Sequence, residues 1–173
     1  MKTLSLNNSI FLVNPISGKL SLKKKIKIIN NVIKGTKAKI VITNSEKDVK
    51  EKAAKYMQEK NIVVACGGDG FVNIVAHQAV LNNGIMGLFP FGRGNDFASS
   101  LNVFSFNEII KSFKSPSVIK VKYIDVSFKN YSRISLTCAG VGLLSEAANR
   151  ASKIPFLKGV YLYAIAAILS FIT

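Results

Sequence analysis

Residues 62–73 read Ile-Val-Val-Ala-Cys-Gly-Gly-Asp-Gly-Phe-Val-Asn, and this stretch decides the fold class. Its first five residues are apolar and include β-branched side chains, which predicts a buried strand over residues 62–66. The glycines that follow predict a tight turn. Apolar residues then recur at helical spacing, at Val72, Val75, Ala76, Ala79 and Val80. A buried strand that passes through a glycine turn into a helix is typical of an α/β domain.

The same alternation continues on both sides of this stretch. Short apolar runs predict buried strands at residues 9–13, 38–43 and 85–89. Two amphipathic helices separate the first three strands: one places Leu22, Ile26, Ile29 and Ile33 on one face, and the other begins at Ser45, with Asp48 three residues on. This order of elements predicts a parallel sheet covered by helices.

The pattern changes after Pro116. Residues 117–128 and 133–139 read as extended segments with no helix between them. We therefore expect an α/β domain over residues 1–116 and the incomplete start of a β-rich domain over residues 117–173. The apolar residues 159–172 are fewer than the roughly 20 needed to span a bilayer, which favours a buried helix or an interfacial segment.

Composition and charge limit the classes of function. The 49% hydrophobic content indicates a folded protein, and the N-terminus lacks the pattern of a secretory signal, so a cytoplasmic location is expected. Cys66 and Cys138 have no CxxC spacing and no His partner, so the sequence supports neither a zinc site nor a disulfide framework. The net charge is +15, and eight lysines lie between Lys19 and Lys39. This run either attracts polyanions or consists only of solvated lysines.

Three turns that follow predicted strands carry the chemistry. They are residues 14–19 (Asn-Pro-Ile-Ser-Gly-Lys), residues 67–70 (Gly-Gly-Asp-Gly) and residues 91–98 (Phe-Gly-Arg-Gly-Asn-Asp-Phe-Ala). Each offers backbone N–H groups before a helix, an arrangement that binds phosphate. Asp69 and Asp96 add carboxylates that suit Mg²⁺. Because parallel strands end at one edge of a sheet, a Mg-nucleotide site is expected there. Ordinary Gly-rich turns, with Asp69 as a helix cap, are the alternative.

In this order, the patterns NPxSG, GGDGxxN and PxGxGNDFA resemble the diacylglycerol kinase catalytic domain family, which includes bacterial lipid kinases, diacylglycerol kinases and sphingosine kinases. The resemblance implies a three-layer, Rossmann-like N-terminal domain followed by a β-sandwich. It also implies ATP and Mg²⁺ as cofactors and transfer of a phosphoryl group to a diacylglycerol-like lipid at a membrane surface, here the inner face. NAD kinases, which share the fold and the GGDG turn, are the alternative family, but NPxSG and GNDFA favour the lipid kinases.

The resemblance assigns roles to individual residues. Those that would line the ATP phosphates and ribose are Asn14, Pro15, Ile16, Ser17, Gly18, Thr43, Gly67, Gly68, Asp69, Gly70, Phe71, Val72 and Asn73, with Arg93, Asn95 and Asp96 facing the same cleft. Asp69, Asp96 and Asp125 match aspartates of a magnesium and water network. The family's catalytic base is expected beyond Thr173, so no catalytic residue is assigned. We therefore expect a C-terminally truncated chain, with a homodimer or a separate chain supplying the remaining half.

Three positions depart from the family pattern. Phe71 and Arg93 stand where the family has Thr, and Ile74 stands where it has Glu. Each lost hydrogen bond is worth about 1–3 kcal/mol, although Arg93 can pair with a phosphate. The second hypothesis is therefore a catalytically inactive chain that binds nucleotide, and the third is polyanion binding through the lysines; no specific nucleic-acid partner is expected. His77 has no carboxylate partner in the pattern and is predicted to be a surface or packing residue.

Overall fold

The central sheet of the protein is parallel, as predicted. The computed structural model describes residues 5–140. After a short 3-10 helix (Leu6–Asn8), four strands form one parallel sheet in the order β2-β1-β3-β4. The strands are β1 (Ser9–Val13), β2 (Lys39–Ile42), β3 (Ile62–Gly67) and β4 (Met86–Pro90).

Five α-helices lie within the described residues. They are α1 (Leu22–Ile33), α2 (Glu46–Gln58), α3 (Asp69–Leu81), α4 (Asp96–Ser100) and α5 (Phe106–Lys114). The predicted cap of α2 is present, since the Ser45 side chain accepts a hydrogen bond from the Asp48 N–H. The sequence analysis did not predict α5. The sequence feature that indicates this helix is the capping box that Ser105 forms with Glu108.

The core occupies both faces of the sheet, which explains the uninterrupted apolar runs of the strands. Ile10 and Leu12 of β1 pack in a cluster with residues of α2 and α3. Phe11 and Val13, which point the other way, pack in a second cluster with residues of α1 and α5. Helices therefore cover both faces of the sheet, which confirms the three-layer α/β fold.

The extended segments predicted after residue 116 contribute a small antiparallel sheet. It consists of β5 (Ile124–Ser127) and β6 (Ser132–Ser135). By contacts, β5 and β6 belong to the same unit as the parallel sheet, and this unit ends at Thr137. The boundary after residue 116 stays a prediction, and residues 159–172 lie outside the described part. No helix within residues 5–140 is both long and apolar enough to cross a membrane.

Candidate functional site

The three motif turns meet at the carboxyl edge of the parallel sheet. We call them the first loop (residues 14–19), the second loop (residues 67–70) and the third loop (residues 91–95). Gly18 has φ of +65°, and a Cβ there would lie 1.9 Å from the Phe91 carbonyl oxygen. A Cβ on Gly92 would lie 2.5 Å from Cα of Gly68. The first loop therefore touches the third, and the third touches the second, at positions where only glycine fits.

Asp69 joins the second loop to the third. One carboxylate oxygen, Oδ2, accepts the Asn95 N–H at 2.9 Å, and the other, Oδ1, accepts the Phe97 N–H at 3.2 Å. Asn95 in turn accepts the Gly92 N–H at 2.8 Å through its side-chain oxygen and has φ of +59°. Asp69 is thus the first residue of α3 but caps the start of α4, so it is not the N-cap of its own helix.

The N-terminus of α3 differs from those of α1, α2 and α5. Serines cap these three helices, through Ser21, Ser45 and Ser105. The cap position of α3 is Gly68, and no side chain there accepts a hydrogen bond from the first turn. A Cβ added at Gly70 would have nothing within 4 Å apart from its chain neighbours and the backbone of its own helix. The first turn of α3 is therefore accessible to an anion, which its N–H groups and the helix dipole would stabilise.

Lys25 is a site residue that the sequence analysis missed. It is fully buried, and its Nζ donates to the carbonyl oxygens of Asn14 at 2.9 Å and Pro15 at 3.1 Å and to Oγ of Ser17 at 3.1 Å. Burial lowers the pKa of Lys25, and the nearby Cys66 thiol opposes this more weakly. The signal was present in the sequence, because Lys25 lies three residues after Leu22 and four before Ile29, on the apolar face of α1.

A cavity of about 250 Å³ opens between the first loop, the connection from β2 to α2, and α3. Its lining is mostly apolar and consists of Asn14, Pro15, Ile16, Thr43, Asn44, Ser45, Glu46, Val49, Phe71 and Ile74. Both α3 positions that depart from the family pattern, Phe71 and Ile74, are therefore in this wall. The Thr43 hydroxyl donates to the Val13 carbonyl at 3.1 Å and is buried.

Glu46 is the acidic residue of this cavity lining. Its carboxylate lies 2.6 Å from Nζ of Lys50. The hydrogen bond and the charge of Lys50 lower the pKa of Glu46, and Arg133 of β6 adds a weaker effect of the same sign. Glu46 is therefore a carboxylate at neutral pH, and its oxygens can accept further hydrogen bonds.

The remaining site residues of the sequence analysis fall into two groups. Arg93 and Asp96 are exposed on the third loop and at the start of α4. Val72 and Asn73 turn away from the loops: Val72 is buried in the core, and the Asn73 side-chain oxygen accepts the Leu136 N–H at 3.1 Å. His77 is half-buried on α3.

The three predicted magnesium aspartates are placed differently from one another. A Cβ on Gly94 would lie 3.2 Å from Oδ1 of Asp96 and 3.4 Å from Oδ2 of Asp69, so these two carboxylates are neighbours. Asp125 is exposed on β5, opposite Ile134. Within residues 5–140 no group of three or more His, Cys, Asp or Glu residues is arranged to hold a metal ion. The magnesium set stays a prediction, with Asp69 and Asp96 as its adjacent members.

Comparisons with known proteins bear on the family and the fold of the chain. The sequence model of the diacylglycerol kinase catalytic domain matches residues 8–127, which include all three loops. A structure from Bacillus anthracis Sterne described as a diacylglycerol kinase has a TM-score of 0.52 and 19% identity, covering 66% of this chain and 42% of that one. A second structure from the same organism has a TM-score of 0.52 and 21% identity over the same shares.

The chain thus spans less than half the length of these two solved structures, and their likeness to it is one of fold. No curated protein matches the chain. The family model, by contrast, covers more than half of the sequence and includes the three loops that meet at the carboxyl edge of the sheet. The chain therefore belongs to the diacylglycerol kinase catalytic domain family.

Proposed function

We propose that this chain is the nucleotide-binding part of an ATP-dependent lipid kinase. The ATP phosphates lie over the N-terminus of α3, between the second and third loops. The observation that carries this proposal is the start of α3, where Gly68 leaves the first turn uncapped and a Cβ added at Gly70 would meet open space. Backbone N–H groups at a helix N-terminus bind phosphate without a side chain.

The donor set suits a magnesium ion bound through water. Each Asp69 oxygen accepts one backbone N–H, and an ionised carboxylate has about four lone-pair sites, so acceptor capacity remains. Asp96 adds a second carboxylate next to it. Mg²⁺ keeps several of its waters and uses one or two protein carboxylates together with substrate phosphates. The bound ion would neutralise phosphate charge, while Asp69 also holds the third loop in place.

The 250 Å³ cavity beside the first loop is the proposed place for the adenosine moiety. Its apolar wall, which includes Pro15 and Val49, suits the faces of a purine ring. The carboxylate of Glu46 lines the same cavity and is an acidic acceptor for ribose hydroxyls, a function that Ile74 cannot perform. The cavity thus combines a stacking surface with one acidic group.

The reaction would be transfer of the γ-phosphoryl group of ATP to a diacylglycerol-like lipid. The lipid hydroxyl oxygen forms a bond to the γ-phosphorus, and the bond from that phosphorus to the β–γ bridging oxygen breaks. The products are a lipid phosphate and Mg-ADP, and the hydroxyl proton passes to a base that we do not assign. In such reactions the protein acts mainly by positioning the reactants and neutralising charge, which is what the three loops would provide here.

The first experiment is binding of a fluorescent ATP analogue to the full 173-residue chain with Mg²⁺, competed by unlabelled ATP. Asp69→Asn should weaken binding about tenfold or more, because it removes a carboxylate that would hold Mg²⁺ beside the phosphates and disturbs the third loop. Glu51→Gln, which removes one exposed acidic group from α2, is the matched control and should bind as the wild type does. Absence of saturable binding by the wild type would refute the proposal.

The second experiment measures transfer of radiolabel from ATP to diacylglycerol in mixed micelles. Transfer that Asp69→Asn abolishes would support a lipid kinase. Saturable Mg-ATP binding without transfer would favour the second candidate function, a chain that binds nucleotide but does not catalyse the reaction. The observation that favours this candidate is the position of Phe71 and Ile74 in the cavity wall, where the family pattern has a hydroxyl and a carboxylate.

A further inference from the structure

Lys25 is buried in an unusual way for a lysine. It has no exposed surface, and within residues 5–140 it is the only charged side chain among the buried residues. None of the ion pairs in that part of the chain includes it. A buried ammonium group without a counter-charge costs several kcal/mol unless hydrogen bonds satisfy it completely. A lysine in this position therefore needs a specific set of acceptors.

The first loop supplies all of those acceptors. An ammonium group has three donors, and Nζ of Lys25 uses three oxygens: the carbonyls of Asn14 and Pro15 and the Ser17 hydroxyl, at 2.9–3.1 Å. Ser17 also donates to the Asn14 carbonyl at 3.2 Å, so the acceptors are linked to one another. Both carbonyls are thereby held on the inner side of the first loop, toward α1.

Lys25 also lies against the ends of the two neighbouring strands. Its Nζ is 5.8 Å from the centre of the Phe91 ring, and Phe91 is buried at the start of the third loop. Its charge is close enough to the Cys66 thiol, at the end of β3, for the two groups to influence each other's pKa. The backbone of Gly18 in turn touches the Phe91 carbonyl. One ammonium group thus lies beneath the point where three strand ends and the first loop come together.

We infer that Lys25 is a positioning residue. From its place on α1, it holds the backbone of the first loop in the conformation that binds phosphate. With its three donors directed at the loop, it acts on a bound phosphate through the loop backbone and through its charge. Turning the Asn14 and Pro15 carbonyls inward keeps these partial negative charges away from the anion. The effect on nucleotide affinity rests on the proposed function, whereas the effect on the loop does not.

The chain offers a close control for this inference. Lys24 is next to Lys25 in α1 but exposed, so Lys24→Met removes the same charge without touching the first loop. Lys25→Met keeps the length of the side chain and removes the three donors. If Lys25→Met does not fold, Lys25→Arg takes its place, because it keeps the charge but cannot reproduce three bonds from one tetrahedral nitrogen.

The decisive measurement is amide hydrogen exchange in the full chain without nucleotide. In Lys25→Met, the amide of Ile16, which donates to the Asn14 side-chain oxygen at 3.1 Å, should exchange about tenfold faster or more, the size expected for lost hydrogen bonds to a charged donor, while those of β1 and α3 stay unchanged. Lys24→Met should match the wild type. Unchanged exchange in the first loop, or an equal rise across the whole domain, would overturn the inference.

Affinity for Mg-ATP, measured on the same variants, tests the consequence of this role. Lys25→Met should bind roughly tenfold more weakly, and Lys24→Met within about twofold of the wild type. Equal affinities of Lys25→Met and the wild type would show that the shape of the first loop does not matter for phosphate binding. If the wild type itself fails to bind Mg-ATP, the proposed function is refuted, and hydrogen exchange still decides the role of Lys25.

Discussion

Replacing Gly70 with alanine should separate stability from nucleotide binding. Gly70 is the second residue of α3, and a Cβ at this position would meet nothing within 4 Å apart from its chain neighbours and the backbone of its own helix. Its φ is not in the left-handed region, so alanine can adopt the same backbone conformation. The added methyl group would occupy the open space in front of the first turn, where we place the ATP phosphates. We therefore expect the fold to accommodate the methyl group, whereas a bound phosphate would clash with it.

The two effects have opposite signs. Alanine in place of glycine within a helix stabilises a protein by about 0.5–1 kcal/mol, and somewhat less in a first turn. A methyl group that displaces the phosphate removes one or two hydrogen bonds to a charged acceptor, each worth about 1.5–3 kcal/mol. We therefore expect a small gain in the free energy of unfolding and a loss of Mg-ATP affinity of roughly 10- to 100-fold.

The assay combines urea denaturation followed by circular dichroism with competition against the fluorescent ATP analogue. Asn31→Ala, at an exposed position of α1, is the matched control, because it also improves helix propensity but lies outside the loops. It should gain stability and keep its affinity. If Gly70→Ala binds Mg-ATP as tightly as the wild type, the phosphates do not lie over the start of α3. A clear loss of stability would show instead that the space at Gly70 is not open.

Three further predictions test the contact between two of the loops, the cavity wall and the N-terminal cap of α5. Gly92→Ala would place a methyl group 2.5 Å from Cα of Gly68, so we expect a loss of about 2 kcal/mol or more in urea denaturation; a loss under about 1 kcal/mol would contradict this contact. Phe71→Thr should lower the free energy of unfolding by about 2–4 kcal/mol, because the ring is buried. It should also tighten Mg-ATP binding by adding a hydroxyl, and unchanged affinity would argue against the family alignment at this position. The pKa of Glu108 is lowered by hydrogen bonds from the N–H groups of Phe104 and Ser105, so its stabilising effect is present above its ordinary pKa and is lost as the pH falls through the folded value. The free energy of unfolding of the wild type should therefore fall more steeply in acid than that of Glu108→Gln, and parallel pH profiles would contradict this account.

The fold was predictable to a large extent because its signals are local. Continuous apolar runs between turn residues marked the four parallel strands, and the two central ones, β1 and β3, are buried on both faces. Ser45 and Asp48 marked the start of α2 correctly. Helix α5 was missed although Ser105 and Glu108 form a capping box, because its nine residues lie between two segments of irregular sequence. Helices of this length depend on tertiary packing for stability, which a local pattern does not show.

The sequence predicted which loops form the candidate site, but not which hydrogen bonds join them. The three glycine loops could be placed at one edge because parallel strands end together. That Asp69 caps α4 could not be predicted, since its partners Asn95 and Phe97 lie 26 and 28 residues away. The exposure of Asp125 likewise could not be predicted, because the packing of the β5–β6 sheet decides which face of the strand meets solvent.

The sequence by itself determined the α/β order, the parallel sheet and the three loops that identify the family, because these follow from periodicity and turn chemistry over short stretches of chain. Only the tertiary structure decided that Gly18, Gly68 and Gly92 lie at backbone contacts between loops and that Lys25 is buried beneath the first of them. Helical periodicity places Lys25 on the apolar face of α1, but its acceptors lie in a loop that precedes the helix. Whether a buried ammonium group is tolerated depends on those acceptors, and they come together only when the strands pack side by side.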